Sequence, residues 1–209
     1  MSFAHKVSKF NRERKWILFK KYFPIDEKNS ILDVGFTDKE HNPSANFFEK
    51  HYPYLGKITA LGVEAPEFFS KKYPEVKAIQ YDGSIFPFKD KEFDICWSNA
   101  VIEHVGNRDK QLLFLKEMNR TAKTVFFTTP NKYFPVEVHS RTPLLHYLPK
   151  NVFYKYLTFV GKERYTGDYM NLLSYGDIKG LLKDAGITKY TIIRNRLFLF
   201  TLDFVVVLN

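Results

Sequence analysis

Polar side chains and glycines stand at the ends of apolar runs that are typical of buried strands. The runs cover residues 30–35, 57–64, 76–82 and 93–100, and the groups at their ends are Gly35, Glu64, Asp82 with Gly83, and Asn99. In an open parallel sheet, ligands bind beyond the carboxyl ends of the strands. There, Glu64 can accept hydrogen bonds from both hydroxyls of a ribose, and Asp82 can accept one from an adenine amino group. The pattern predicts a nucleotide-like ligand at this edge of a sheet.

The elements that must position these groups alternate along the chain. Amphipathic helices are predicted over 11–23 and from Asn42 onward, a fifth strand over 123–130, and two consecutive strands in the tail. Strands separated by helical crossovers form a parallel, doubly wound sheet. We therefore predict an α/β fold, in a single domain that spans residues 1–209.

Three segments carry a resemblance to a known family: ILDVG, then GVE, then YDGSIFPFKDKEFDICWSNAVIEHV. Together they resemble the class I S-adenosylmethionine-dependent methyltransferases, and most closely the group called type 11. The resemblance covers roughly residues 28–187. It implies a Rossmann-like methyltransferase fold, with a seven-stranded, mostly parallel sheet whose last strand is antiparallel. It also implies S-adenosylmethionine as cofactor and methyl transfer as the reaction.

The first motif of this family is usually D-x-G-x-G-x-G, and the chain departs from it after Gly35. Thr37 and Lys39 stand where the second and third glycines would be. We expect the Thr37 hydroxyl and the Asp38 carboxylate to bind the ammonium group of the cofactor, and Lys39 to bind its carboxylate. The alternative is a degenerate site on a non-catalytic relative that binds a partner.

Histidines are the candidate general bases, because their pKa lies near neutrality. His104 follows the fourth predicted strand, near where the methyl group would sit, and His139 lies in an aromatic insert. These two are the predicted catalytic residues, and either His139 or His146, which lies in the same insert, can have a role in substrate binding. Each can instead be a structural histidine. Some methyltransferases hold a metal here with a Glu-x-x-Glu-His set, but Ala100 replaces the first Glu, so no metal is predicted.

The insert covers residues 130–172 and interrupts the alternation of strands and helices. It is rich in Tyr, Phe and His, is punctuated by four prolines, and ends where Ser174 and Asp177 predict a capped helix. Long loops of this kind are commonly lids or binding elements. We expect an irregular cover over the substrate side of the cofactor, with Asn131, Tyr133 and His139 nearest the methyl group. The alternative is a dimerisation arm, and the oligomeric state stays open.

Charge and composition limit the partners. The net charge is +9, and residues 1–30 hold eight basic and three acidic side chains. A basic field favours anionic partners, but no RNA-binding module is visible. A small-molecule acceptor that reacts through oxygen or nitrogen is therefore preferred over RNA. The absence of G-x-G-x-x-G argues against a nicotinamide oxidoreductase.

Compartment and membrane association are limited by the same composition. The single cysteine, Cys96, excludes a disulfide within the chain. The longest apolar stretch, residues 197–207, is too short to span a membrane, since a spanning helix needs about 20 residues. We also expect no secretory signal, and a cytoplasmic protein.

Overall fold

Strands mostly separated by helices make up the first two thirds of the chain, and an antiparallel hairpin ends it. The computed structural model describes residues 3–137, 140–167 and 170–209. The helices are α1 (Phe3–Tyr22), α2 (Phe47–His51), α3 (Glu67–Lys72), α4 (Arg108–Thr121), α5 (Lys150–Phe159) and α6 (Tyr175–Asp184). The strands are β1 (Ile31–Val34), β2 (Ile58–Gly62), β3 (Lys77–Gln80), β4 (Phe93–Asn99), β5 (Ala122–Pro130), β6 (Val136–Glu137), β7 (Thr142–Pro143), β8 (Tyr190–Leu197) and β9 (Phe200–Leu208).

Seven strands form one sheet in the order β3-β2-β1-β4-β5-β9-β8. β1 pairs in parallel with β2 and β4, and β2 pairs in parallel with β3. β8 and β9 pair antiparallel. The prediction of a doubly wound, mostly parallel sheet with an antiparallel C-terminal strand is confirmed. β6 and β7 form a separate two-stranded ribbon inside the insert.

The chain forms two compact units. The first unit comprises Met1–Trp97 and Arg120–Phe126, and the second comprises Ser98–Asn119 and Phe127–Asn209. The prediction of a single domain with an insert at 130–172 stays a prediction. Every helix in the described ranges is too short or too polar to cross a bilayer.

An aromatic cluster fills the core of the first unit. Phe19 of α1 is fully buried, and its ring lies 5.3 Å from that of Trp16, 5.1 Å from that of Trp97 and 5.5 Å from that of Phe126. Because these rings come from α1, β4 and β5, the second half of the basic helix α1 is part of the core. In the second unit, α6 starts at the predicted capping box, in which Ser174 and Asp177 each accept a hydrogen bond from the backbone of the other.

Three predicted elements differ from the structure. The helix predicted over 11–23 begins eight residues earlier, at Phe3. The helix predicted from Asn42 starts five residues later, at Phe47, because Asn42 caps a turn instead: its Oδ1 accepts the backbone N–H of Ser44 at 2.9 Å. Asn46 then adopts a left-handed conformation with φ 46°, which ends that turn. The insert, expected to be irregular, contains the ten-residue helix α5 directly after Pro149. Proline before a helix fixes its φ at a helix-compatible value, so Pro149 favours this start.

Candidate functional site

The first predicted motif forms a tight turn after β1. Gly35 is exposed and has φ 107°, a conformation that side chains disfavour, and its N–H donates to the carbonyl of Leu61 at 2.8 Å. This bond joins the turn to β2. A backbone exposed at a glycine lets a ligand approach closely, as the sequence predicts for this position.

Glu64 and Asp38, which the sequence predicts to bind different parts of the cofactor, meet in the structure. Oε2 of Glu64 accepts the backbone N–H of Asp38 at 2.7 Å. The Asp38 carboxylate turns the other way, and its Oδ1 accepts the N–H groups of Phe68 and Phe69 at 2.7 and 3.0 Å in the first turn of α3. One oxygen of Asp38 is therefore engaged by the helix, and its predicted bond to the cofactor ammonium would use the other.

The loop that lacks the usual glycines is held by Asn46. The Asn46 amide accepts the N–H of Thr37 at 3.0 Å and donates to the carbonyl of Thr37 at 2.9 Å. Lys39 lies with its Nζ 4.7 Å from the centre of the Phe68 ring. Sequence analysis missed Asn46, although asparagine is among the few residues that tolerate the left-handed conformation. The predicted cofactor roles of Thr37 and Lys39 stay predictions.

Phe36, between the two motif positions, sets the packing under the loop. Its buried ring lies 4.6 Å from that of Phe69 in α3. A Cβ atom built on Gly62 would lie 2.7 Å from Cε1 of Phe36, closer than real Cβ atoms approach. The Phe36 ring thus leaves no room for a side chain at Gly62, at the end of β2.

The third strand end carries Asp82 and Gly83 in a local turn. Oδ1 of Asp82 accepts both the N–H and the hydroxyl of Ser84, and these hydrogen bonds lower the pKa of Asp82, so that it is charged. Gly83 has φ 82°, which favours glycine. The turn is joined to the second strand end, since the Gln80 amide donates to the carbonyl of Val63 at 3.0 Å.

A pair of buried carboxyl groups lies beneath the first motif. Asp33 in β1 is 6% exposed and Glu49 in α2 is 3% exposed. Burial and the charge of Glu49 raise the pKa of Asp33 well above its usual range, and burial raises the pKa of Glu49. We interpret these raised pKa values as one proton held by the pair. Burial and then Asp33 raise the pKa of the nearby Cys96 thiol, which is consistent with an unreactive core residue.

In the second unit, the end of β4 is strained. Oδ1 of Asn99 accepts the hydroxyl of Thr128 at 2.7 Å. The next residue, Ala100, has φ 60°, and its N–H donates to the carbonyl of Thr128 at 3.0 Å. A non-glycine residue in this conformation often marks a functional site. Alanine is not a residue type that favours positive φ, so the sequence does not predict the strain at Ala100.

His104 lies half-buried in a short 3₁₀ turn, Ile102–His104. The turn is fixed to a later segment, because the carbonyl of Glu103 accepts the N–H of Asn171 at 2.7 Å. The buried Gln111 amide of α4 donates to the carbonyls of both Ile102 and Asn171, at 3.2 and 2.8 Å. The fully buried Glu103 accepts the Thr129 hydroxyl at 3.1 Å. His139, the other predicted catalytic residue, lies outside the described residues.

The second unit contains a cavity of about 750 Å³, which the insert and α4 line together. Its wall is rich in tyrosine and in charged side chains, among them Arg108, Lys132, Tyr133, Glu137, His146, Tyr147, Lys150, Tyr154, Tyr165 and Asp177. Burial lowers the pKa of His146, so its imidazole is neutral at neutral pH. Its Nδ1 is buried without a hydrogen-bond partner among the described residues. Predicted residue Tyr133 lies on this wall, whereas Asn131 is engaged elsewhere and donates to the carbonyl of Thr201 at 2.8 Å.

Metal binding has no support from side-chain clustering. Across the ranges that the structure describes, no three His, Cys, Asp or Glu side chains form a group that could hold a metal ion.

Comparison with known proteins identifies a similar family. Residues 48–124 match the type 11 family model, which is described as a methyltransferase domain. No curated protein matches the chain.

Solved structures resemble most or all of the chain. One is an S-adenosylmethionine-dependent methyltransferase from Aquifex aeolicus, with 17% identity and a TM-score of 0.54 over 100% of this chain and 98% of that one. A second, from Methanosarcina mazei, has 15% identity and a TM-score of 0.57 over 91% of this chain and 95% of that one. A third is a phosphoethanolamine N-methyltransferase from Haemonchus contortus in complex with S-adenosyl-L-methionine. It has 13% identity and a TM-score of 0.57 over 87% of this chain and 38% of that one. At these identities the likeness shows the fold.

Proposed function

We propose that the chain is a class I methyltransferase of the type 11 group, which uses S-adenosylmethionine to methylate an oxygen or nitrogen atom of a small molecule. The match of residues 48–124 to a methyltransferase domain supports this proposal. The cavity of about 750 Å³ in the second unit is the observation that supports a small molecule as acceptor. This volume lies within the range of about 300–1,000 Å³ that small-molecule sites occupy.

The strand-end residues suit the donor groups of the cofactor. Its ribose hydroxyls, its adenine amino group and its ammonium group all donate hydrogen bonds. The ends of β2 and β3 present the carboxylates of Glu64 and Asp82, which accept them. In this proposal Glu64 holds the ribose, Asp82 with Gly83 holds the adenine, and the exposed backbone at Gly35 lies against the cofactor. Thr37 and Asp38 contact its remaining groups, and the predicted cofactor contact of Asn99 stays a prediction.

The charges of the cavity favour an acceptor that carries an anionic group. Three cations, Arg108, Lys132 and Lys150, line the cavity together with two carboxylates. Arg108 is paired with Asp184 at 2.7 Å, so Lys132 and Lys150 supply the charge for an acceptor. Both carboxylates are already engaged, since Glu137 accepts the N–H of Ser140 and Asp177 belongs to the α6 capping box. The tyrosines of the wall offer flat apolar faces for the rest of the acceptor.

The bound cofactor would supply a methyl group already activated by a positively charged sulfur. The residues of this chain would align the acceptor with it and exclude water. An oxygen acceptor also needs a base within hydrogen-bond reach. His146 suits that task because it is neutral and lies on the cavity wall, and His104 and His139 stay candidates for it.

Cofactor binding is tested by calorimetry with S-adenosylhomocysteine, the demethylated product. We expect one site per chain, and Glu64→Gln should weaken binding by about 1–3 kcal/mol, the range for lost hydrogen bonds to a charged group. Glu67→Gln is the matched control, because it removes an exposed acid of α3 that no predicted contact uses. No heat at millimolar ligand would instead support a non-catalytic relative with a degenerate site.

Acceptor class is tested by S-adenosylhomocysteine release with a panel of phosphorylated, carboxylated and neutral hydroxy and amino compounds, together with short RNA. We expect turnover with an anionic small molecule. Replacing Lys132 and Lys150 by Gln should raise the KM of that acceptor and leave the affinity for S-adenosylhomocysteine unchanged. Turnover of RNA alone would contradict the small-molecule proposal and favour an RNA methyltransferase.

A further inference from the structure

The hairpin of β8 and β9 ends in three exposed apolar side chains. Phe198 is 87% exposed, Leu199 is 90% exposed and Phe200 is 54% exposed. Phe198 and Leu199 form the two-residue turn between the strands, and Phe200 begins β9. We call these three residues the apolar tip. Contiguous large apolar side chains are unusual on a solvent-exposed protein surface, and they mark a site that binds a protein or a membrane.

The backbone of the turn is unfavourable for these residues. Phe198 has φ 53°, a left-handed conformation that two-residue hairpin turns normally satisfy with Asn, Asp or Gly. A bulky residue in this conformation is strained. The side chains do not regain that energy by packing, because they are exposed. The backbone strain at Phe198 is therefore not offset by packing within the fold. Uncompensated strain of this kind is expected at functional positions.

The strand that leads to the tip is basic. Residues 185–202 contain Lys189, Arg194 and Arg196 and no acidic residue. Arg194 and Arg196 are exposed and Asn195 between them is buried, so the two arginines lie on the same face of β8. The Arg194 guanidinium lies 4.8 Å from the centre of the Tyr175 ring, which places an aromatic ring beside the charge. Apolar groups at a tip, with cations and an aromatic ring behind them, are the arrangement that suits a charged lipid surface.

The size of the tip favours lipid over a second copy of the chain. At the exposed fractions given above, three side chains of about 150–250 Å² each can bury roughly 350–580 Å². Each partner in a stable protein interface buries about 800 Å². A bilayer needs no complementary surface, so a small tip is sufficient there. We propose that the apolar tip inserts into the surface of a membrane that contains anionic lipids, with Arg194 and Arg196 at the level of the headgroups.

The test is co-sedimentation of the full chain with vesicles of phosphatidylcholine alone or mixed with phosphatidylglycerol. The wild type should bind the anionic vesicles more tightly, and part of the binding should persist at high salt because insertion is apolar. Phe198→Asn combined with Leu199→Ser should reduce binding about tenfold or more, since burial of apolar groups supplies the affinity. Asn favours the left-handed turn, so this variant should fold at least as stably as the wild type.

The matched control is Ile17→Ser, which removes an apolar side chain that is 62% exposed on the basic helix α1. It should bind vesicles as the wild type does. Loss of binding in this control with none in the tip variant would overturn the proposal and assign the contact to α1. Complete loss of wild-type binding at high salt would also overturn it, because the contact would be electrostatic only. So would self-association without vesicles, in sedimentation velocity, that the tip variant abolishes.

Discussion

Carboxyl groups of the first unit have opposite pKa shifts because their surroundings differ. Asp33 and Glu49 are buried together, and this raises the pKa of both. Partial burial also disfavours the charged form of Glu40, but hydrogen bonds from Lys50, Lys72 and Tyr73 outweigh it and lower the pKa of Glu40 to about 2. At pH values where carboxyl groups ionise, the buried Asp33–Glu49 pair therefore destabilises the folded state. Glu40 stabilises the folded state at the same pH values.

Glu49→Gln should change how stability depends on pH. A pKa raised in the folded state means that the folded protein binds more protons, so stability falls as the pH rises from the ordinary carboxyl range through the raised values. Glu49→Gln leaves Asp33 beside a neutral amide, and the decline should become shallower. Urea unfolding at acidic, neutral and mildly basic pH measures this. A decline as steep as that of the wild type would contradict the shared-proton interpretation.

Glu40→Gln is the opposite case and the control. The pKa of Glu40 is about 2, against an ordinary value of 4.5, so its contribution is present above 4.5 and disappears as the pH falls through about 2. The variant should be less stable than the wild type at neutral pH, and the difference should shrink in acid.

At the scale of residues, sequence analysis predicted the residues that follow the strand ends. It missed the side chain that holds the loop after β1. Gly35, Glu64 and Asp82 were found because apolar runs end beside them. Asn46 and Glu49 were not found, because their importance depends on a backbone conformation and on a neighbour across the fold. The cofactor contacts of the predicted residues stay predictions.

Among the elements, β2 and the loop after β1 are joined by the packing of Phe36 against Gly62. Gly62→Ala should destabilise the chain by about 1–3 kcal/mol, the usual range for overpacking a core, because the new methyl group would lie 2.7 Å from the Phe36 ring. Phe36→Leu in the same chain should remove part of that loss, which a double-mutant cycle in urea measures.

Gly56→Ala is the matched control for Gly62→Ala, since a Cβ atom at Gly56 would meet nothing within 4 Å. It should change stability little. Equal effects at the two glycines would show that the cause is backbone freedom and not contact with Phe36.

Sequence patterns predicted strands better than helix starts. The first strand was predicted at 30–35 and is observed at Ile31–Val34, because a buried apolar run has few alternatives. The helix start predicted at Asn42 was wrong, since asparagine stabilises turns as well as helix starts and the sequence does not decide between them. Helix α5 was missed because prolines on its N-terminal side suggest irregular structure.

On the scale of the whole molecule, α1 combines a basic surface with an aromatic core contact. Phe19→Ala should cost about 3–5 kcal/mol of unfolding free energy, because it removes a fully buried ring from the centre of the aromatic cluster. Ile17→Ala, at an exposed site of the same helix, should change stability by less than about 0.5 kcal/mol. A small effect of Phe19→Ala would mean that α1 is a detachable basic arm, and would strengthen the case for an anionic polymer as its partner.

Both tryptophans of the chain, Trp16 and Trp97, lie in that cluster, with ring centroids 6.4 Å apart. The second unit begins at Ser98 and contains no tryptophan. Intrinsic fluorescence excited at the indole band therefore reports on the first unit, and at this separation the two indoles exchange excitation energy and emit as one chromophore. The cavity and the apolar tip lie in the second unit and therefore contribute no tryptophan fluorescence. A single indole introduced into the second unit would be an optical probe with its own signal, set against a background that comes from the other unit.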